Sequence, residues 1–326
     1  MTFMQMLTAA EATGPIVIDG GLGTAAEDRG IDLDHDLWSA ELIRRSPDTL
    51  LAVHADFAAA SARILTTASY QASPLGFARA GISPDEGHRI IDRSVQIARR
   101  AADRTAAANG STLVAGSVGP YGAALGDGAE YTGDYRLSPE EYSSFHRPRI
   151  AALAEAGADL LAVETQPRLD EIRTIVDLAE QTDLPVWLSV TLQDGTDTAR
   201  PISDDDSPGP VNQPLLPDGS GLADLAEAAN ASAAVKAVGV NCVPPSLVTP
   251  ALELLSAHTD MPLIAYPNSG ETYDATAMTW GDDGAEAGVG SWPVPEWTDL
   301  GARIIGGCCR VSAADIGLLS RASCRG

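Results

Sequence analysis

Basic residues are scarce. The 326-residue chain has 21 lysines and arginines against 45 aspartates and glutamates, a formal charge of −24. A surface of that sign repels phosphate backbones and anionic bilayers, so neither nucleic acid nor a membrane surface is expected as a partner. Long apolar runs are also lacking: none reaches the roughly 18–20 residues needed to span a bilayer. Residues 1–13 place no basic residue ahead of their apolar positions, so they read as a short first helix rather than a secretory leader. A cytoplasmic location is the expectation. Cysteine is limited to Cys242, Cys308, Cys309 and Cys324, too few and too clustered for a disulfide framework in a chain of this size. The five histidines show no ligand spacing, which argues against a metallohydrolase built on His and Asp.

What is present is a globular composition, with 44% hydrophobic and 20% charged residues. Short β-branched runs at 16–19, 64–67, 112–117, 160–164, 186–191, 237–241, 263–266 and 303–306 read as strands. Ala-rich helical stretches lie between them, among them 49–61, 84–108, 139–156, 169–181, 222–234 and 246–258. Ser83-Pro84 and Ser138-Pro139 are helix starts, and Ala80-Gly81 and Ala156-Gly157 are helix stops. Eight such strands with intervening helices predict an α/β fold, a (β/α)8 TIM barrel in one domain spanning 1–326, with a doubly wound sheet as the rival. Two Gly- and Asp-rich loop insertions, 194–219 and 267–292, interrupt the pattern, and the triplet Asp204-Asp205-Asp206 in the first reads as solvated loop. The glycines at Asp19-Gly20-Gly21-Leu22-Gly23 do not make a dinucleotide fingerprint, because Ala26 stands where its third glycine would be.

A barrel carries its chemistry at the C-terminal ends of its strands. Cys242 ends the sixth run, after Val240-Asn241, and Cys308-Cys309 end the eighth, after Gly306-Gly307. Three thiols could therefore meet at the barrel mouth. A bare Cys-Cys pair would read as core packing or a vicinal disulfide. A third cysteine at another strand end, together with the flanking Gly-Gly and Arg310, instead points to three thiolate ligands for Zn²⁺ with a fourth position open. The two glycines are expected to adopt backbone conformations closed to other residues and to bring the chain close to the ion. Cys324 reads as a free surface thiol.

Gly306-Gly307-Cys308-Cys309-Arg310 with Gly239-Val240-Asn241-Cys242 upstream resembles the homocysteine S-methyltransferase family. Asp19-Gly20-Gly21-Leu22-Gly23-Thr24, Leu37-Trp38-Ser39-Ala40, Thr66 with Thr67-Ala68-Ser69-Tyr70-Gln71, Val163-Glu164-Thr165 and Tyr266-Pro267-Asn268-Ser269-Gly270-Glu271 agree, in the same order. The long segment after Thr191 departs from the family pattern. The resemblance implies transfer of a methyl group to homocysteine, giving methionine, with Zn²⁺ on Cys242, Cys308 and Cys309. It favours a sulfonium donor, S-methylmethionine or S-adenosylmethionine. Betaine as donor, selenocysteine as acceptor, or a non-catalytic zinc or thiol sensor remain open. Within this reading Glu164 and Asp19 receive the homocysteine ammonium, and backbone amides at Gly20 and Gly21 hold its carboxylate. Trp38 and Tyr70 face the cationic donor. Gln71, Asn241 and Asn268 complete the expected substrate shell.

Overall fold

The computed structural model describes residues 1–31, 39–193, 213–270, 273–274, 279–280 and 288–323. Eight parallel strands form the core: β1 (Ile16–Val17), β2 (Ile64–Thr66), β3 (Leu113–Val118), β4 (Leu160–Gln166), β5 (Val186–Val190), β6 (Val235–Asn241), β7 (Leu263–Tyr266) and β8 (Ala302–Ile305). Each pairs with its neighbour in sequence, and β8 pairs with β1. A parallel bridge between Ile18 and Ile64, with the Arg63 N–H donating to the Val17 carbonyl at 2.7 Å, joins β1 to β2 and closes the barrel. All eight expected strands are present, and the doubly wound alternative is excluded by that closure.

Strand periodicity explains how the barrel fills. Side chains on a strand alternate between its two faces. Ile18, Ile64, Ala115, Leu160, Ala162, Trp187, Ala237, Ile264 and Ile304 point inward and pack on one another. Val17, Leu65, Val114, Leu161, Leu188, Val238, Ala265 and Ile305 point outward into the helical shell. The opening helix Phe3–Thr13 inserts Phe3, Met6, Leu7 and Ala10 into the inner cluster from the N-terminal end, with Phe3 against Trp187 at 6.4 Å between ring centres. The barrel is thus plugged at its base, and its opposite end is left for chemistry.

The same inward register, carried one step further toward the C-terminal ends, changes from apolar to polar. It brings Thr66, Ser117, Glu164, Ser189, Asn241 and Tyr266 onto the inner face above the apolar layer. Most of the expected helices form with small shifts at their ends, as Pro47–Ala59, Pro84–Asn109, Pro139–Glu155, Leu169–Ala179, Leu222–Asn230 and Val248–Ser256. Ser83 and Ser138 cap their helices by accepting from the third backbone N–H, and Gly81 and Gly157 adopt the left-handed conformation that stops theirs. Short helices at Leu22–Glu27, Pro74–Arg79 and Ala129–Thr132 were not expected from periodicity, which needs more than one or two turns to register. Of the insertion 194–219, residues 194–212 lie outside the described residues, as do most of 271–287 and Cys324. No helix among the described residues is long and apolar enough to cross a membrane.

Candidate metal and substrate site

The sulfur atoms of Cys242, Cys308 and Cys309 converge at the C-terminal mouth, all within 4.8 Å of one another. Cys242 Sγ and Cys309 Sγ are 3.8 Å apart. Four sulfurs placed tetrahedrally around zinc at about 2.3 Å are about 3.8 Å from each other, so the spacing fits that ion. The three thiols are free. Hydrogen bonds from Cys308 and Cys309 hold the Cys242 thiol well below its ordinary range, while those same contacts with Cys242, together with burial, push Cys308 up. Three adjacent thiols cannot all ionise without a cation among them, which is what a metal supplies.

Local backbone geometry aims the sulfurs. Cys242 leaves β6 at φ 52°, a left-handed turn rare outside glycine, and its N–H donates to the Tyr266 carbonyl at 3.3 Å. Cys308 N–H donates to the Pro267 carbonyl at 2.7 Å, and the Cys309 carbonyl accepts from Ser269 N–H at 3.1 Å. Arg310 follows at φ 63°. Of the two roles expected of the glycine pair, the special backbone conformation is not found. Neither Gly306 nor Gly307 has positive φ; the turns fall on Cys242 and Arg310 instead. The pair is required for close approach, since a Cβ on Gly306 would lie 2.3 Å from Ile18 and one on Gly307 2.1 Å from Val311.

Two buried acids stand on the same rim. Glu164 accepts from Ser117 Oγ–H and, at 3.1 Å, from the Tyr266 hydroxyl. Tyr266 is the hub of this layer: Trp187 Nε1–H donates to its oxygen at 3.1 Å, and Ser189 Oγ lies 2.5 Å away. Burial pushes Glu164 up to about 7, with Ser117 and Tyr266 acting against the shift. Asp19 accepts from Thr66 N–H at 2.7 Å and from its hydroxyl at 3.0 Å, and burial pushes it up to about 8. Both acids are thus costly to ionise alone and suited to a partner that brings positive charge.

Asn241 and Asn268 were expected to touch substrate. The structure uses their side chains internally. Asn241 accepts from Thr165 N–H and donates to Thr165 Oγ1, each at 2.7 Å. Thr165 is held at φ 56°, where the β4–β5 register shifts, so this carboxamide fixes a bulge directly beside Glu164. Asn268 Oδ1 accepts from Gly270 N–H at 3.0 Å and shapes the loop after β7. Of the two glycine amides, Gly21 N–H already donates to the Val311 carbonyl at 3.0 Å. Gly20 stands beside that same carbonyl, where a Cβ would be 2.3 Å from its oxygen. Gln71 braces the loop after β3 through the Ala123 carbonyl at 3.3 Å. Tyr70 packs its ring on Gly119, and burial pushes its hydroxyl well above the usual range, with Glu130 and Cys242 adding to the shift. Trp38 lies outside the described residues.

Sequence spacing did not reveal Ser117, Tyr131, Glu130 or Arg149. Tyr131 Oη is 3.8 Å from Cys242 Sγ. Burial pushes the neighbouring Glu130 up to about 7. The available signal was Gly128-Ala129-Glu130-Tyr131-Thr132-Gly133, two chemistry-bearing residues in one turn between glycines at φ 83° and 66°. Arg149, wholly buried, donates to the carbonyls of Ser69, Tyr70 and Gly119 and so ties the loops after β2 and β3 together. Beside it Glu171 accepts from Tyr121 N–H at 2.6 Å and the Tyr135 hydroxyl at 2.5 Å, with His146 Nε2 at 2.7 Å.

A closed barrel with three convergent thiols and buried acids at its C-terminal mouth defines a class: an enzyme scaffold with a sulfur cluster able to hold a metal. Comparison with known proteins narrows it. Residues 16–323 match the family described as Homocysteine S-methyltransferase. The chain is 41% identical over 314 residues to a homocysteine S-methyltransferase of Escherichia coli (strain K12), covering 94% of this chain and 95% of the relative. It is 36% identical to a selenocysteine methyltransferase of Astragalus bisulcatus, covering 91% and 88%. Among solved structures, the metallated form of the homocysteine methyltransferase MmuM from Escherichia coli superposes with a TM-score of 0.81 at 38% identity, covering 97% of this chain and 99% of that one. The chain belongs to the homocysteine S-methyltransferase family.

Proposed function

We propose that this protein transfers a methyl group from a sulfonium donor, S-methylmethionine foremost, to the thiol of homocysteine, using zinc held by Cys242, Cys308 and Cys309. The observation that carries this reading is the convergence of the three sulfurs within 4.8 Å on the same rim as Glu164 and Asp19. Zinc at the three thiols would act as a Lewis acid, lowering the pKa of an incoming thiol so that a thiolate is available at neutral pH.

The chain's own residues place the reactants. Glu164 and Asp19 receive the homocysteine ammonium, which offsets the cost of ionising two buried carboxyls. Tyr266 and Ser117 hold Glu164 in position, and Thr66 holds Asp19. With the Gly21 amide already donating to the Val311 carbonyl, the Gly20 amide is the one assigned to the substrate carboxylate. The Tyr70 ring is assigned to the cationic donor, and Trp38 is assigned with it on the sequence resemblance alone. The transfer is an in-line displacement. A bond forms between the homocysteine sulfur and the methyl carbon, and the bond from that carbon to the donor sulfur breaks. Thiolate and sulfonium become two neutral thioethers, and the thiol proton goes to solvent. With S-methylmethionine both products are methionine.

Selenocysteine is a second acceptor to test, because a selenocysteine methyltransferase is among the relatives and a selenolate would suit the same sulfur-rich site. We read residues 1–326 as one homocysteine-binding barrel domain in the cytoplasm, where its thiols stay reduced. The test is methionine formation by reduced, zinc-loaded protein given homocysteine with S-methylmethionine, S-adenosylmethionine or betaine in parallel. Turnover with a sulfonium supports the reading. Turnover with betaine alone overturns the donor assignment, and none with any donor overturns the enzymatic reading.

A further inference from the structure

The turn Ala129–Thr132, in the loop after β3, belongs to none of the segments by which the family resemblance was read, yet it borders the thiols. Tyr131 Oη is 3.8 Å from Cys242 Sγ. The adjacent Glu130 carries its Oε2 fully buried, with no hydrogen-bond partner among the described residues. The charges that act on this carboxylate, Cys242 and Asp127, are both negative. The Tyr70 ring packs on Gly119, in the same loop after β3, and Glu130 and Cys242 both push its hydroxyl up. The turn is fixed in place: Gly128 and Gly133 end it in left-handed conformations, and a Cβ on Gly122 would sit 2.7 Å from the Glu130 nitrogen.

A buried carboxylate beside a thiolate cluster is unfavourable unless positive charge comes between them. Tyr131 adjoins the thiols and Tyr70 packs on the loop that carries Glu130, and aromatic faces also favour cations. We infer that Glu130, with Tyr70 and Tyr131, recognises the donor's sulfonium centre and selects donors by that positive charge. The inference rests on the sulfonium-donor reading above. The attraction is largest in the bound donor and fades as the sulfonium becomes a neutral thioether. It therefore strengthens donor binding and eases release of the product, without accelerating the displacement itself.

Steady-state kinetics on the zinc-loaded protein with S-methylmethionine, comparing wild type, Glu130→Gln and Glu130→Asp, tests this. Zinc per chain and KM for homocysteine are measured on the same samples. Glu130→Gln is expected to raise KM for the donor about tenfold or more, with kcat at or above the wild-type value and homocysteine KM and zinc content within about twofold of wild type. Glu130→Asp, which keeps the charge at shorter reach, falls between the two. A donor KM unchanged in Glu130→Gln, or in Glu130→Asp should the first variant fail to fold, overturns the inference alone. A parallel loss of zinc and homocysteine binding overturns it in favour of a structural role. A wild type that uses no sulfonium overturns the donor reading and this inference with it.

Discussion

Replacing Glu164 with Gln keeps the shape of the side chain and removes its charge. In the ligand-free protein this carboxyl is pushed from its usual 4.5 to about 7, chiefly by burial. The folded state therefore binds a proton more tightly than the unfolded state does. The sign follows: Glu164 costs nothing below about 4.5, and its cost grows as pH rises and is complete above about 7. A shift of that size corresponds to about 3 kcal/mol. Urea unfolding of wild type and Glu164→Gln across this range should show the variant gaining stability relative to wild type as pH rises. Homocysteine, by bringing an ammonium to the carboxylate, should restore stability to wild type and less to the variant. Loss of one charge-assisted contact of about 1.5–3 kcal/mol should also raise KM for homocysteine roughly 10- to 100-fold. A stability difference that does not vary with pH, joined to an unchanged KM, would refute the reasoning.

Asn241→Ala removes both bonds to Thr165 and releases a residue held at φ 56°; a stability loss of about 2–4 kcal/mol and a fall in kcat/KM are expected, with an unchanged kcat/KM contradicting the positioning role. Gly239→Ala would put a Cβ 1.8 Å from the Ile264 carbonyl oxygen, so strands β6 and β7 must separate. Its thermal midpoint should drop by an amount equivalent to about 1–3 kcal/mol, and an unaltered midpoint would contradict that packing. Tyr266→Phe leaves Trp187, Ser189 and Glu164 without their shared partner. It should raise homocysteine KM while bound zinc stays at the wild-type level, and a loss of zinc instead would place Tyr266 in the metal site.

The fold was legible because each barrel strand is a short apolar run whose neighbours are helices, a pattern carried by many residues at once. The thiol trio was legible because cysteine is rare here and its positions coincide with strand ends. The supporting contacts were not. Nothing in local spacing links Ser117 on β3 to Glu164 on β4, or Tyr266 on β7 to Trp187 on β5, because these bonds exist only once the barrel closes. One of the two roles read for Gly306 and Gly307, dihedral freedom, was misjudged for a related reason. A glycine is needed either for its dihedral freedom or for its missing Cβ, and only the neighbours, here Ile18 and Val311, decide which. Asn241 was found as a strand-end residue, but its partner Thr165 depends on a bulge in a neighbouring strand.

The central claim is that Cys242, Cys308 and Cys309 together hold the metal on which methyl transfer depends. The most direct test measures bound zinc and methionine formation in Cys308→Ser against wild type, both prepared reduced and supplied with zinc, homocysteine and S-methylmethionine. Loss of most of the zinc together with nearly all turnover is the expected result. Wild-type turnover in a Cys308→Ser protein that has lost its zinc would contradict the account.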